Sequence, residues 1–180
     1  TPGSTSLADY ISGLFGAIGI LMALRAVEQT GQGQTVDIAL FETIFRVLDE
    51  IAPAYARHGT VREREGLGTR NVCPHGHFPT KDSGWVAIAC TSDKIWQRMA
   101  RNVLDRPDLG DSHPTTADRV AARPLIDGAV SGFTTAYSTK EVVEFCSLGE
   151  VPCSAINSIA DIFEDPQFEA RGTLQRIQHA

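Results

Sequence analysis

Apolar residues recur on almost every side of the segment from Leu7 to about Glu28: Ile11, Leu14, Phe15, Ile18, Leu21, Met22, Leu24 and Val27. A run at helical spacing that is apolar all round belongs inside a core, so a buried helix is predicted there. Pro2, Gly3 and Ser4 read as a loop leading into it, Ser6 stands as its N-cap, and Asp9 follows three residues later, where a capping box carries its acidic partner. Gly13, Gly16 and Gly19 interrupt the run at every third position. Each costs about 1 kcal/mol in a helix interior, so the close approach of another backbone or of a ligand is expected to offset them. Residues 30–34 form a Gly-rich turn, and 35–40 alternate as a short strand, with Val36, Ile38 and Leu40 on one face. From Phe41 to about Ala56 the period returns to helical, with Ile44, Phe45, Leu48 and Ile51 on one side. Helix, strand and helix in that order match the end of an α/β domain.

Residues 58–74 are polar and rich in Gly and Arg, and break the pattern. Beyond them, 77–79 and 85–90 read as two strands joined by the turn Lys81-Asp82-Ser83-Gly84, a β-hairpin. Helices are predicted over 93–103, over 116–137 with a break near Pro124, and from Ser138, Thr139 and Glu141 to Leu148. A strand at 151–156, a short helix at 160–163 and a last turn at 167–172 complete the chain. This divides the sequence into the C-terminal part of a larger α/β domain (1–58), a linker (59–74) and a small α+β domain (75–180). Trp85 and Trp96 are expected in the core of the latter.

The composition is that of a globular protein, 42% hydrophobic and 21% charged, with a formal net charge of -6. That charge argues against a general nucleic-acid binder, which needs a basic face. The four cysteines, Cys73, Cys90, Cys146 and Cys153, form no C-x-x-C pair and are expected to be reduced thiols in a cytoplasmic protein. No uncharged apolar run reaches membrane-spanning length, and no basic segment precedes the first apolar stretch, so neither a membrane span nor a signal peptide is expected. His75 and His77 have the spacing of metal ligands on a strand, but no carboxylate or cysteine joins them, and no metal site is expected.

Asp9 is the leading candidate for chemistry. A carboxylate in the first turn of a helix lies at its positive end, which favours the ionised form that a carboxylate nucleophile requires; helix capping is the other role open to it. Asp9 with Gly13, followed by Gly19-Ile20-Leu21-Met22-Ala23-Leu24, is similar to a motif of the family III (CaiB/BaiF) CoA-transferases, an Asp, three variable residues, Gly and a G-I-L-A-A-L-like stretch. The segments Thr30-Gly31-Gln32-Gly33-Gln34-Thr35-Val36-Asp37-Ile38 and Leu40-Phe41-Glu42 resemble the family's T-G-x-G-Q-x-V-D-V and S-L-F-E, in unbroken register. In the second half, Phe78-Pro79-Thr80-Lys81-Asp82-Ser83-Gly84-Trp85, Val151-Pro152-Cys153 and Asp165-Pro166-Gln167 resemble family segments as well.

The resemblance implies an α/β fold, the end of a Rossmann-like large domain followed by a small α+β domain with a β-hairpin. It implies transfer of coenzyme A between an acyl-CoA and a free carboxylic acid, with the CoA thioester as substrate and no further cofactor. Asp9 falls where the family carries its nucleophile, which passes through a mixed anhydride and an aspartyl-CoA thioester. Gly13 would let substrate approach the helix, and Arg70, among the linker arginines Arg62, Arg64 and Arg70, could meet a carboxylate or a CoA phosphate. Family members are about twice as long and form interlocked homodimers, so this chain would be the middle of such a protein. The segments Ala89-Cys90-Thr91-Ser92-Asp93 and Ser158 to Gln167 look most like members acting on small dicarboxylates such as succinate, malate, mesaconate or itaconate. Two other readings stay open. One is an α-methylacyl-CoA racemase, in which a Glu is expected about where Ser92 stands, with Asp93 one residue off. The other is a non-catalytic domain of this fold acting as a binding or assembly module.

Overall fold

The computed structural model describes residues 5–64, 66 and 68–178; the loop expected at Pro2, Gly3 and Ser4 lies outside them. The fold is mixed α/β, and the chain divides into two compact units, Thr1–Arg64 and Glu65–Ala180.

The first unit is built on α1 (Leu7–Thr30), which ends on Gly31 in the left-handed conformation. Ser6 precedes α1 but makes no side-chain cap, so the expected capping box is absent. Residues 32–39 are not a strand, because no neighbouring strand pairs with them among the described residues. Their apolar side chains lie on α1 instead. A methyl group built on Gly16 would sit 3.2 Å from Ile38 Cδ1, and one on Gly19 would sit 2.9 Å from Val36 Cγ1. Two of the three glycines thus make room for side chains of the same unit, and not for a backbone or a ligand. Gly13 has nothing within 4 Å of that position. Gly19→Ala is accordingly expected to destabilise this unit by about 1–3 kcal/mol through overpacking, while Gly13→Ala gains up to about 1 kcal/mol of helix propensity; urea unfolding of the two variants would measure the opposed signs.

The helix predicted over 41–56 is two helices, α2 (Leu40–Arg46) and α3 (Ile51–His58). Pro53 is the reason. In one continuous helix its ring would meet the carbonyl of Asp49, whereas here Asp49 takes a positive φ of 60° and Pro53 falls in the first turn of α3. A buried hydroxyl pair ties α1 to α2: Ser12 Oγ lies 2.7 Å from Thr43 Oγ1, which donates to the Leu40 carbonyl at 2.8 Å. Burial of α1 as a whole is not observed. Ser12 is its one buried residue, and Leu14, Ile18, Leu21 and Met22 are more than half exposed. The three helices of this unit are too few to cover a helix that is apolar on all sides. By length and composition α1 could also cross a membrane, a test that core helices of globular proteins pass as well.

The second unit carries a three-stranded antiparallel sheet in the order β1 (His75–Pro79), β2 (Trp85–Ala89), β3 (Cys153–Ala155). Phe78, Val86 and Ile88 face a core shared with Trp96, Met99, Ile126, Val130, Val142 and Cys146. Trp96 is fully buried, as expected, but Trp85 is 40% exposed. It pairs across the hairpin with Pro79 and, by strand alternation, takes the face opposite Val86.

The helices of this unit are α4 (Asp93–Arg98), which runs on as a π-helical turn (Met99–Val103), α5 (Pro107–Ser112), α6 (Thr116–Ala121), α7 (Arg123–Thr134), α8 (Thr139–Leu148), α9 (Ile159–Glu164) and α10 (Pro166–Ala170). The break between α6 and α7 falls at Ala122, with Pro124 in the first turn of α7. Helix α5 had no periodic signal, since it is six residues long and begins on a proline. Capping boxes at Ser138/Glu141 and Ser158/Asp161 fix the starts of α8 and α9.

Two polar anchors hold this unit. Arg119 on α6 is fully buried. It donates to the carbonyls of Cys73 (2.6 Å) and Pro114 (3.1 Å), pairs with Asp93 at 3.0 Å, and lies 5.6 Å over the Trp96 ring. Asp82 joins the hairpin turn to the start of α8. It accepts from the Thr80 hydroxyl (2.6 Å) and from the N–H (3.1 Å) and hydroxyl (2.9 Å) of Thr139. The Thr80 hydroxyl, then the Thr139 N–H and hydroxyl, hold the Asp82 carboxyl well below the usual carboxylate range. A carboxylate depressed on folding stabilises above its unfolded pKa, about 3.9, and loses that contribution as pH falls through the folded value. Asp82→Asn is therefore expected to lower stability at neutral pH and to narrow the gap to wild type below about pH 4; urea midpoints measured down an acid series check both.

Candidate active site

Asp9 sits in the first turn of α1 and is exposed. No hydrogen bond or ion pair engages its side chain among the described residues, so the carboxylate is not consumed by capping. It stands where the unpaired N–H groups of the helix start favour negative charge. Gly13, one turn further along, shares its side of α1, and the open space around that glycine gives the carboxylate a bare strip of helix beside it. The Ser12–Thr43 pair pins the same turn of α1 to α2, which fixes the direction in which this face looks. An accessible carboxylate on a braced helix start, with no partner among the described residues, can attack an electrophilic carbonyl or accept a proton.

Asp9 and Gly13 share a helix face in the first unit, and Arg70 lies on a loop before β1 in the second. Arg70 lines a cleft of about 690 Å³ bounded by that loop, β1 and α7, with His77, Phe78, Trp85 and Asp127 also on its walls. The loop is held by Arg123, whose guanidinium donates to the carbonyls of Thr69 (2.7 Å), Arg70 (3.0 Å) and Val72 (3.1 Å). Of the other linker arginines, Arg62 is paired with Glu50 at 3.3 Å in the first unit.

Several other groups with chemical potential are engaged structurally. The Ser92 hydroxyl caps α4 by accepting from the Ile95 N–H. Asp93, the residue nearest a racemase acid–base position, is held as a carboxylate by hydrogen bonds from Arg119 and Thr116. Burial pushes the Cys73 and Cys90 thiols up to about 12, so neither is a thiolate nucleophile at neutral pH. A hydrogen bond to Cys153 keeps Cys146 protonated, and all four cysteines are free. His75 Nδ1 lies 2.9 Å from Thr69 Oγ1. Among the described residues no cluster of three or more His, Cys, Asp or Glu side chains is placed to hold a metal ion. Arg119, Arg123 and Asp82 escaped the sequence reading because each has a partner far away in the chain, Cys73, Thr69 and Thr139 respectively, which no local spacing announces.

Known proteins bear on this arrangement. The chain is 48% identical over 179 residues to the alpha subunit of succinyl-CoA–L-malate CoA-transferase from Chloroflexus aurantiacus, covering 98% of this chain and 42% of that protein. It is 45% identical to the beta subunit, covering 98% and 44%. A CaiB/BaiF family protein from Brucella suis has the same fold, with a TM-score of 0.76 and 31% identity over 96% of this chain and 46% of that one. The chain thus spans less than half the length of these relatives. The family model for CoA-transferase family III matches residues 3–180, which takes in α1 with Asp9 and the whole second unit. With that match spanning both units, the chain belongs to CoA-transferase family III.

Proposed function

We propose that the protein to which these residues belong transfers coenzyme A from an acyl-CoA to a free carboxylic acid, with Asp9 as the covalent carrier. The observation that carries this reading is the state of Asp9: exposed, without a partner among the described residues, at a helix start, beside the open surface of Gly13. Its carboxylate attacks the thioester carbonyl, forming a mixed anhydride and releasing CoA thiolate. The thiolate attacks the aspartyl carbonyl, leaving an aspartyl-CoA thioester and the donor carboxylate. The acceptor carboxylate attacks that thioester, giving a second anhydride, and the thiolate returns to the new acyl group, freeing Asp9. Division into steps is what nucleophilic catalysis contributes, and the anhydrides require that water be kept out.

The relatives named for succinyl-CoA, L-malate and D-citramalate support small dicarboxylates as the acids exchanged. Their alpha and beta subunit names support a multimeric enzyme, which we read as a dimer. We read α1 as a core helix of a cytoplasmic enzyme and not as a membrane span, because the family is one of acyl-CoA enzymes and the glycines of α1 already accept Val36 and Ile38. The racemase reading is disfavoured by Asp93, whose carboxylate is tied to buried Arg119. Trapping decides between them. The family-length protein incubated with succinyl-CoA and then hydroxylamine should carry a hydroxamate on Asp9, located by mass spectrometry. Deuterium uptake into a 2-methylacyl-CoA without any acceptor acid, and no adduct, would establish the racemase instead.

A further inference from the structure

The turn from α8 into β3 brings two thiols together. The N–H of Gly149 donates to the Phe145 carbonyl at 2.9 Å, that of Glu150 to the Ser147 carbonyl at 3.1 Å, and that of Val151 to the Cys146 carbonyl at 2.8 Å. Glu150 takes a positive φ of 55°. This reversal turns the chain back from the last turn of α8 into β3. Cys153 stands opposite Ile88 in the β2–β3 pairing. Its side chain therefore takes the face of the sheet on which Ile88 is buried, in the core to which Val142 and Cys146 of α8 belong. Seven residues apart in the chain, Cys146 and Cys153 are joined there by a hydrogen bond between their thiols. Their surroundings differ. Cys146 is fully buried and Cys153 half-buried. The bond from Cys146 lowers the Cys153 thiol from its ordinary value, and the thiolate is the form that reacts. Cys73 and Cys90 are also fully buried. The Cys73 thiol donates to Asp127 at 3.5 Å and not to another sulfur.

We propose that Cys153 and Cys146 form a peroxide-oxidisable dithiol that closes into a disulfide across the α8–β3 turn. Cys153 Sγ, as the thiolate, attacks one oxygen of hydrogen peroxide. The O–O bond breaks, and hydroxide leaves with the proton that Cys153 had lost, as the first water. Cys153 is then a sulfenic acid. Cys146 Sγ attacks that sulfur, the S–S bond forms and the S–O bond breaks, and hydroxide departs with the Cys146 proton as the second water. Two thiols are oxidised by two electrons, and one peroxide is reduced to two waters. The half-buried thiol meets the oxidant and the buried one resolves it, so neither could close the cycle alone. The proposal stands apart from the CoA-transferase reading, which uses neither sulfur.

The test is oxidation of the folded 180-residue chain with hydrogen peroxide, read by mass spectrometry. The expected result is a monomer lighter by two hydrogens, with Cys146 bonded to Cys153, and with Cys73 and Cys90 still open to alkylation once the chain is unfolded. Glu150 lies between the two cysteines, so cleavage after it should give two peptides that stay joined until a reductant is added. Cys146→Ala should leave Cys153 at the sulfenic acid, where dimedone captures it, and Cys153→Ala should leave Cys146 unoxidised. A wild type whose four thiols all stay free would overturn the proposal, as would a bond between Cys73 and Cys90. So would a bond from Cys153 to a second copy of the chain, or oxidation of wild-type Cys153 beyond the sulfenic acid, since either would show that Cys146 is not placed to resolve it. A Cys146–Cys153 bond that forms only in urea would overturn it too. These readings come from the wild type and hold even if a variant fails to fold.

Discussion

Asp9→Asn in the family-length enzyme is expected to abolish CoA transfer while leaving the fold and acyl-CoA binding intact. The amide keeps nearly the size of the carboxylate and can still cap a helix start, but it has no anionic oxygen with which to attack a thioester. Removal of a covalent nucleophile elsewhere costs on the order of 10⁶-fold in kcat, and a loss of that order is expected here. Asp9→Ala should lose as much. Neither should change thermal stability by more than about 0.5 kcal/mol, because the wild-type side chain makes no hydrogen bond or ion pair among the described residues and is exposed. Parallel assays of exchange, hydroxylamine trapping and thermal unfolding separate the roles: a large stability loss with residual activity would return Asp9 to structural duty. Hydroxamate forming on another carboxylate in the wild type would place the nucleophile elsewhere.

Arg119→Met is expected to be the most damaging single change to the second unit. It takes away the donors that satisfy the Cys73 and Pro114 carbonyls, the partner of Asp93 and the cation over Trp96. Arg119 is fully buried although its partner Asp93 is half exposed, so the cost is set by the buried Cys73 carbonyl left without its donor, about 1–3 kcal/mol, together with the lost packing over Trp96. The Trp96 indole N–H has no hydrogen-bond partner among the described residues, so the region has little capacity for a further unsatisfied group. Arg119→Lys should recover only part of the loss, because an ammonium cannot span the several directions that the planar guanidinium serves at once. Chemical unfolding of the three proteins, followed by Trp96 fluorescence, would give that ranking. A cost under about 1 kcal/mol for the Met variant would show the carbonyls to be rehydrated and the anchor to be dispensable.

What could be read from the sequence was what is local. The capping box at Ser138 and Glu141 lies within four residues and was legible, as was the hairpin around Lys81-Asp82-Ser83-Gly84, whose turn residues leave few alternatives. The strand expected at 35–40 failed because alternation records only which side chains face a surface. That surface proved to be α1, with Val36 and Ile38 set over its glycines. The single helix expected over 41–56 failed because Pro53 was not weighed against the carbonyl four residues before it. Trp85, expected in the core, takes the other face because strand parity sets it opposite to Val86. At the candidate site, the position of Asp9 was legible from its motif. Its freedom from a cap was not, since Ser6 carries the residue type of an N-cap without making the bond.

All four cysteines lie in the second unit and none in the first. Cys73, Cys90 and Cys146 are buried there, and Cys153 is half-buried. Thiol-reactive dyes are therefore blind to motions of α1, α2 and α3. The rate at which they label the native chain clocks the opening of the sheet-bearing unit by itself, so the two halves of this chain can be timed separately without introducing a single probe.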